Sequence, residues 1–293
     1  MTGALRPLVA SDSARVRAFL SRNPDRDVYL CGLVWRFGVV LPSGAGQLLG
    51  WFRADELRGV FLHSAVAVLA CEDEAGVDAF AAWTADHLET LPLLQAISPD
   101  AMVGRFTDQL AAAGRLPPLR LERRHMPIMR LERSQFVVLE ELEPPVAPAR
   151  MRNATEAEYE LVREACRAVT IEELSIDPDD LDPAAFRTAL TRRVRAGREY
   201  IWTHAGTLRF RAALSAATPE CALVEGVYTP PGERGNGYGT AGMHGLCERL
   251  LRFHRRVVLF VGAENEGAQR LYRRLGFRAF GEYRATYFEA PAP

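Results

Sequence analysis

Short apolar runs alternate with amphipathic stretches along the first half of the chain. The apolar spacing predicts a strand at residues 5–8, followed by a helix that begins at Ser11 and buries Val16, Phe19 and Leu20. Apolar and β-branched runs predict further strands at 48–53, 59–63, 66–70, 93–97 and 119–131. Helices are predicted at 75–89 and 100–113. Strands and helices mixed in this way are typical of an α/β or α+β domain.

The second half shows a similar order of elements. A helix capped by Thr155 is predicted to reach about residue 169, and an acidic loop at 171–182 then leads into a helix that begins at Asp182-Pro183. Strands are predicted at 199–204, 207–216 and 221–229, and a strand at 257–261 comes later. Between them, a helix is predicted with Met243, Leu246, Leu250 and Phe253 or His254 on one face. The remaining pattern predicts a helix at 267–275 and a hairpin or pair of strands at 279–288. This similarity suggests a duplicated fold.

Between the halves, the segment 140–148 (EELEPPVAP) combines charge with three prolines and has no periodic apolar face. Such a composition is typical of a linker. We therefore predict an N-terminal domain at 1–139, a linker at 140–148 and a second domain at 149–293.

Composition excludes several classes of function. With 48% apolar residues the chain can build a packed core, and a net charge of −1 provides no basic field for nucleic acid. The absence of lysine removes Schiff-base chemistry. Five cysteines without CxxC spacing predict a reduced, cytoplasmic protein, and six histidines without a metal motif predict that no metal is bound. No apolar run is long enough to span a membrane, so no membrane anchor is expected.

The segment 227–240 (VYTPPGERGNGYGT) carries the strongest chemical signal. A predicted strand runs through Pro230-Pro231 into a glycine-rich turn, and an apolar-periodic helix follows. Gly235, Gly237 and Gly239 allow close backbone approach, and the helix start offers unpaired N–H groups to an anion. Arg234 adds donors suited to phosphate oxygens. The alternative is a tight turn before a surface helix.

The spacing Arg234, Gly237, Gly239 resembles the acetyl-CoA-binding signature of the GNAT N-acetyltransferase superfamily. A second GNAT signature resembles the segment 265–277, in which Asn265, Ala268, Tyr272 and Gly276-Phe277 recur at the family's spacing. The whole chain resembles bacterial proteins in which a GNAT-like N-terminal domain precedes a GNAT domain. The stretches that carry this wider resemblance are 170–173 (TIEE), 209–212 (RFRA) and 283–288 (YRATYF).

This resemblance implies two tandem GNAT-like domains, each with a mixed, mostly antiparallel sheet flanked by helices. It implies acetyl-CoA as co-substrate, with the pantetheine arm paired to the strand before the glycine loop. The implied cofactor-binding residues are Val227, Tyr228, Thr229, Arg234, Gly235, Asn236, Gly237, Tyr238, Gly239, Thr240, Asn265 and Ala268. No metal is implied.

Tyr272 holds the family position that protonates the departing thiolate, although its helical spacing also suits an ordinary core tyrosine. Glu225 is the first candidate for the general base, because it interrupts the apolar strand before the cofactor segment, on the face opposite Tyr228 by alternation. A solvent-facing glutamate is the alternative there. Glu172 and Glu173 are rival bases, and the acidic segment around 177–182 could attract a cationic amine.

The first half lacks a matching glycine loop. The position after its strand at 66–70 reads Cys71-Glu72-Asp73-Glu74, whose acidic side chains would repel a pyrophosphate. We therefore expect one active site, in the second domain. The predicted activity is transfer of an acetyl group to a primary amine of a small molecule or peptide. Alternatives are a non-catalytic acyl-CoA-binding regulatory module and transfer of a longer acyl group; the sequence leaves the acceptor and the oligomeric state open.

Overall fold

The computed structural model describes residues 3–138 and 151–290, which form two compact units. Of these residues, the first unit contains 3–129, 260–265 and 279–290, and the second contains 130–138, 151–259 and 266–278. The predicted linker at 140–148 and the predicted start of the second domain at residue 149 lie outside the described residues. The predicted division into 1–139 and 149–293 therefore stays a prediction. The compact units are not continuous in sequence, because the first also includes two short segments from the second half of the chain.

The first half of the chain alternates strands and helices in one continuous order. Its elements are β1 (Gly3–Pro7), α1 (Ser13–Leu20), α2 (Val28–Phe37), β2 (Gln47–Arg53), β3 (Glu56–His63), β4 (Val66–Cys71), α3 (Glu74–His87), β5 (Gln95–Pro99), α4 (Asp100–Ala112) and β6 (Leu119–Glu132). Strands β1 to β4 pair antiparallel in sequence order, and β4 pairs parallel with β5.

Alternate residues of this sheet enter two cores. Leu49 and Phe61 face α3 and α4, where Phe61, Phe80 and Phe106 stack at centroid distances of 4.6 and 5.3 Å. Their neighbours Leu48 and Val60 face α1 and α2 on the other side. Because both faces are covered by helices, the strands read as nearly continuous apolar runs.

The second half repeats the order of elements. It contains β7 (Arg152–Asn153), α5 (Tyr159–Leu174), α6 (Pro178–Leu181), α7 (Pro183–Arg195), β8 (Glu199–His204), β9 (Thr207–Ala217), β10 (Cys221–Tyr228), α8 (Tyr238–Leu250), β11 (Arg256–Phe260), α9 (Glu266–Arg274) and β12 (Arg278–Phe288). Strands β7 to β10 pair antiparallel in sequence order, and β10 pairs parallel with β11. The predicted mixed, mostly antiparallel sheet flanked by helices is confirmed.

Three elements differ from the sequence prediction. Helix α2 was missed; its sequence VYLCGLVWRF is a short, nearly continuous apolar run, which is hard to distinguish from a buried strand by sequence. Helix α5 extends past its predicted end near residue 169 into the first four residues of the predicted acidic loop, and Ser175, whose φ is +54°, ends it. The C-terminal segment forms one strand rather than a hairpin, and β12 pairs antiparallel with β5 in the first unit. Long-range pairing of this kind has no local sequence signal.

The ion pair between Arg6 and Asp12, in the first unit, is expected to lose its contribution to stability at low pH. Asp12, nearly buried, accepts hydrogen bonds from Arg6 Nη1 and Nη2 at 2.8 and 2.9 Å and from the Val9 amide at 2.9 Å. The hydrogen bond from Arg6 is the main cause that lowers the pKa of Asp12 from 3.8 to about 2, and burial acts against it. This stabilisation is present above pH 3.8 and is lost as the pH falls through 2.

We expect Asp12→Asn to reduce the free energy of unfolding at pH 7 by about 1 kcal/mol, after allowance for solvent screening. Urea titrations of both proteins at pH 7 and at pH 2 measure the difference, which should shrink on acidification. A difference that stays constant over this range would contradict the assignment.

Candidate functional site

Strand β10 carries a bulge at its carboxyl end. Glu225 lies opposite Ala213 and Tyr228 lies opposite Arg211, so Gly226 and Val227 together face a single residue of β9. The extra residue reverses the alternation, and Glu225 and Tyr228 share the face that packs against α5. The prediction that Glu225 lies opposite Tyr228 was therefore wrong, because simple alternation takes no account of a bulge.

The glycine-rich loop connects the end of β10 to α8. It contains a short 3₁₀ turn, Pro231–Glu233, and two glycines in the left-handed region, Gly235 with φ +76° and Gly237 with φ +77°. Gly237 is the N-cap of α8 and has no side chain to cover the helix start; the Ala241 amide makes the first helical bond, to the Gly237 carbonyl. The amides of Tyr238, Gly239 and Thr240 precede that bond and point out of the helix start.

Arg234 is held by protein groups rather than extended into the loop. Its guanidinium forms a two-point ion pair with Glu172 at 2.6 and 3.0 Å, and its Nε donates to the Thr229 carbonyl at 3.0 Å. The hydrogen bond to Glu172 is the main cause that raises the pKa of Arg234. Both side chains are about half exposed, so the pair costs little to break.

Arg209, on β9, contacts one residue on each side of the glycines in this loop. It forms an ion pair with Glu233, and its guanidinium lies 4.9 Å from the centroid of the Tyr238 ring. A second bulge, where Trp202 pairs with Phe210 and Thr203 with Leu208, leaves Arg209 as the extra residue and turns it toward α8. In the sequence, Arg209 stood out only as part of the stretch 209–212; the signal for its role was a charged residue inside an apolar strand.

Tyr272 lies in the last turn of α9 and is only 5% exposed. Its ring packs 5.7 Å from that of Phe277, measured between centroids. Burial is the main cause that raises the pKa of Tyr272, and the negative charge of Glu173 adds to it. The hydroxyl therefore keeps its proton at neutral pH, and a carboxylate of α5 acts on it electrostatically.

The three candidate bases have different surroundings. Glu225 is half-buried on β10, whereas Glu172 and Glu173 lie exposed in the last turn of α5. Glu172 is engaged by Arg234. Two carboxylates of the neighbouring acidic segment are also engaged, since Asp177 pairs with Arg167 and Asp179 pairs with Arg163. This pairing reduces the negative field that the sequence predicted for attracting an amine.

The corresponding helix of the first half begins differently. After β4, Asp73 is the N-cap of α3, and its Oδ1 accepts from the Gly76 amide at 2.9 Å and from Trp51 Nε1 at 3.0 Å. A carboxylate therefore occupies the start of α3, where α8 has the bare backbone of Gly237. An anion at α3 would meet a like charge.

Residues 157–277 match the family model described as the acetyltransferase (GNAT) family. These residues form a GNAT acetyltransferase domain. The matched residues include the bulged strand, the glycine loop and Tyr272. Members of this family in general transfer acyl groups from acyl-CoA to amines. The recognition made from the two sequence signatures is confirmed.

Solved structures extend the likeness to both halves of the chain. A tandem GNAT protein from the clavulanic acid biosynthesis pathway is 18% identical, with a TM-score of 0.58 over 99% of this chain and 100% of the other. A GCN5-related N-acetyltransferase from Sphaerobacter thermophilus is 15% identical, with a TM-score of 0.61 over 97% and 94%. One from Kribbella flavida is 18% identical, with a TM-score of 0.53 over 92% and 96%. At these identities the likeness concerns the fold alone.

No curated protein matches the sequence significantly. In the described part of the chain, His, Cys, Asp and Glu side chains form no group of three or more that could hold a metal ion. Within residues 3–138 and 151–290, no helix has both the length and the apolar character needed to span a membrane.

Most of the predicted site residues lie at the bulge and loop of the GNAT domain. Val227 is in the bulge, Asn236 donates to the Glu233 carbonyl at 3.5 Å, and Thr240 is in the first turn of α8. Ala268 is half-buried on α9, one turn before Tyr272. Asn265 directly precedes α9 in the chain, and its backbone N–H donates to the Gly262 carbonyl at 3.0 Å. The roles of all these residues stay predictions.

Proposed function

We propose that this protein is an N-acetyltransferase that moves an acetyl group from acetyl-CoA directly to a primary amine. The observation that carries the proposal is the start of α8, where Gly237 leaves the first amides of the helix without a side-chain cap. Such a helix start binds a pyrophosphate through its N–H groups and dipole. Tyr272, protonated and buried in the same domain, supports the catalytic part of the proposal.

The shape of the loop suits coenzyme A. An added Cβ at Gly239 would lie 3.4 Å from Leu271 Cδ1 and from Thr229 Oγ1, whereas one at Gly235 would meet nothing within 4 Å. The backbone is therefore in van der Waals contact with the protein on one side at Gly239 and open at Gly235. Gly235, Gly237 and the first amides of α8 would hold the pyrophosphate, and Val227 to Thr229 would pair with the pantetheine arm.

Each chemical role has a candidate group in this chain. Acetyl-CoA supplies the activated acyl group, and the chain must position it, take a proton from the amine and return one to the departing sulfur. A backbone N–H of the bulged strand would polarise the thioester carbonyl. Tyr272 Oη would donate its proton to the thiolate; a tyrosine hydroxyl is protonated at neutral pH, and burial raises the pKa of Tyr272 further.

Glu225 is the proposed general base. An alkyl ammonium titrates near pH 10, so a carboxylate must help to remove its proton, directly or through water. Glu225 lies on the strand beside the proposed pantetheine site, whereas Glu172 is engaged by Arg234. Glu173 remains the rival because its charge acts on Tyr272.

We expect Glu225→Gln to lower kcat roughly 100-fold or more at neutral pH, the usual size of general-base catalysis. Glu173→Gln is the matched control and should change kcat by less than about tenfold, as expected for a surface charge. Raising the pH should partly restore the Glu225→Gln enzyme, since the amine then loses its proton in solution. If Glu173→Gln instead shows the larger loss, the base is Glu173.

The proposed function is tested by the release of free thiol from acetyl-CoA in the presence of a panel of amines and peptides. Turnover with at least one primary amine is expected. Binding of acetyl-CoA without turnover on any acceptor would favour a regulatory acyl-CoA-binding module. Faster turnover with longer acyl-CoA donors would reassign the acyl group. No coenzyme A binding at all would refute the proposal.

We assign no acetyl-CoA site to the first half of the chain. The Asp73 carboxylate at the start of α3 supports this view, because it takes the hydrogen bond and the dipole that a pyrophosphate would need. The first half would then contribute to stability or acceptor selection.

A further inference from the structure

A buried arginine, Arg211, touches the backbone of the bulge in β10. Its side chain is 3% exposed, and its Nη1 donates to the Gly226 carbonyl at 2.8 Å. The other side of the guanidinium donates to Glu199 Oε2 on β8, from Nε at 2.8 Å and from Nη2 at 2.5 Å. One planar group thus connects three adjacent strands, which a fork of N–H donors can do and a lysine ammonium cannot do as well.

The contact occurs where the β ladder is interrupted. Gly226 has a φ of +57°, and between Glu225 and Tyr228 the register with β9 shifts. A Cβ added to Gly226 would lie 2.2 Å from Arg211 Nη1, so the guanidinium rests directly on this backbone. The Gly226 carbonyl therefore receives its hydrogen bond from a side chain at the position where the strand departs from regular pairing.

The charge of Arg211 is compensated inside the domain. Glu199 is fully buried, and its second oxygen, Oε1, lies 2.9 Å from Nε of Arg193, which reaches in from α7. Arg193 is one-third exposed and pairs with Glu199 only from the far side. A buried pair with this geometry gives little net stability relative to apolar residues, which points to a role in specifying geometry.

We propose that Arg211 is a positioning residue that holds the bulge of β10 in the shape required to pair with acyl-CoA. The part of this inference that concerns acyl-CoA rests on the proposed function. Arg211 does not touch the reacting atoms in this view; it acts through the Gly226 carbonyl, one residue before the segment proposed to bind the pantetheine arm. The geometry of the bulge itself depends on no ligand.

The double variant Glu199→Leu/Arg211→Met tests the inference, because it removes the two fully buried charges together, while Arg193, which also pairs with Glu199, is one-third exposed and can turn to solvent. Amide hydrogen exchange of peptides that cover 226–229 should be roughly tenfold faster or more, the effect of losing one hydrogen bond to a charged group. The Kd for coenzyme A should rise roughly 10- to 100-fold on the same basis, with a smaller fall in kcat. Arg193→Met is the matched control and should leave both readouts near wild type.

The outcomes separate this inference from the proposed function. A folded double variant with wild-type exchange at 226–229 would overturn the role of Arg211. If the wild-type protein fails to bind coenzyme A, the proposed function fails, while the exchange measurement still decides whether Arg211 holds the bulge. If the double variant does not fold, Arg211→Lys keeps the charge opposite Glu199 but loses the fork geometry, and the same two measurements apply.

Discussion

Replacing Tyr272 with phenylalanine is expected to lower kcat roughly 100- to 1,000-fold, which is the usual contribution of a positioned general acid. The substitution removes one hydroxyl and keeps the ring in its packing against Phe277. Acetyl-CoA affinity should change by less than about threefold, since the hydroxyl is proposed to act on the sulfur only as it leaves. Steady-state kinetics together with calorimetric titration of acetyl-CoA measure both quantities.

A second buried tyrosine provides the control for this experiment. Tyr283 is 7% exposed, burial raises its pKa, and its hydroxyl donates to the Arg26 carbonyl in the first unit. Tyr283→Phe should cost about 1 kcal/mol of stability through the lost hydrogen bond and leave kcat unchanged. Equal effects of the two substitutions on kcat, or none at Tyr272, would exclude Tyr272 as the acid.

Placing a carboxylate at Gly237 should put a negative charge at the start of α8, as Asp73 does at the start of α3, although the two N-caps differ in backbone conformation. We expect Gly237→Asp to weaken acetyl-CoA binding by about 100-fold or more, because a like charge would occupy the helix start where the pyrophosphate is proposed to bind. The φ of +77° at this N-cap is one that aspartate and asparagine tolerate better than other non-glycine residues. The protein should therefore remain folded.

Gly237→Asn is the matched variant of the same size and shape without the charge. It should lose much less affinity than Gly237→Asp, and the gap between the two should narrow at high salt, which screens exposed charges. Titration calorimetry at low and high ionic strength measures this gap. Equal affinity of Gly237→Asp and wild type would mean that acetyl-CoA does not use the start of α8.

Local patterns were enough to predict much of the GNAT domain. The glycine loop, the helix that follows it and the N-cap at Asp182-Pro183 depend on neighbouring residues, and all three are present. The signatures that contain Gly237 and Tyr272 identified the family before any contact was known. Helix α2 was missed for a local reason as well, since a short, nearly continuous apolar run does not distinguish a helix from a buried strand.

Features that depend on distant residues were not predictable. Arg234 was expected to face a phosphate, but Glu172 lies 62 positions earlier and holds it. Glu225 was assigned to the wrong face, because a bulge depends on how β10 registers with β9. The contact between Arg211 and the Gly226 carbonyl has the same origin.

The sequence by itself determined the family that residues 157–277 match, the position of the glycine loop and the acidic start of α3 in the first half. These are properties of short segments, whose backbone preferences and charges are set by the residues themselves. Only the tertiary structure decided which face each carboxylate occupies, which groups engage the arginines and which sheet receives the last strand. Such features arise from pairing between residues far apart in the chain, for which local propensity carries no information.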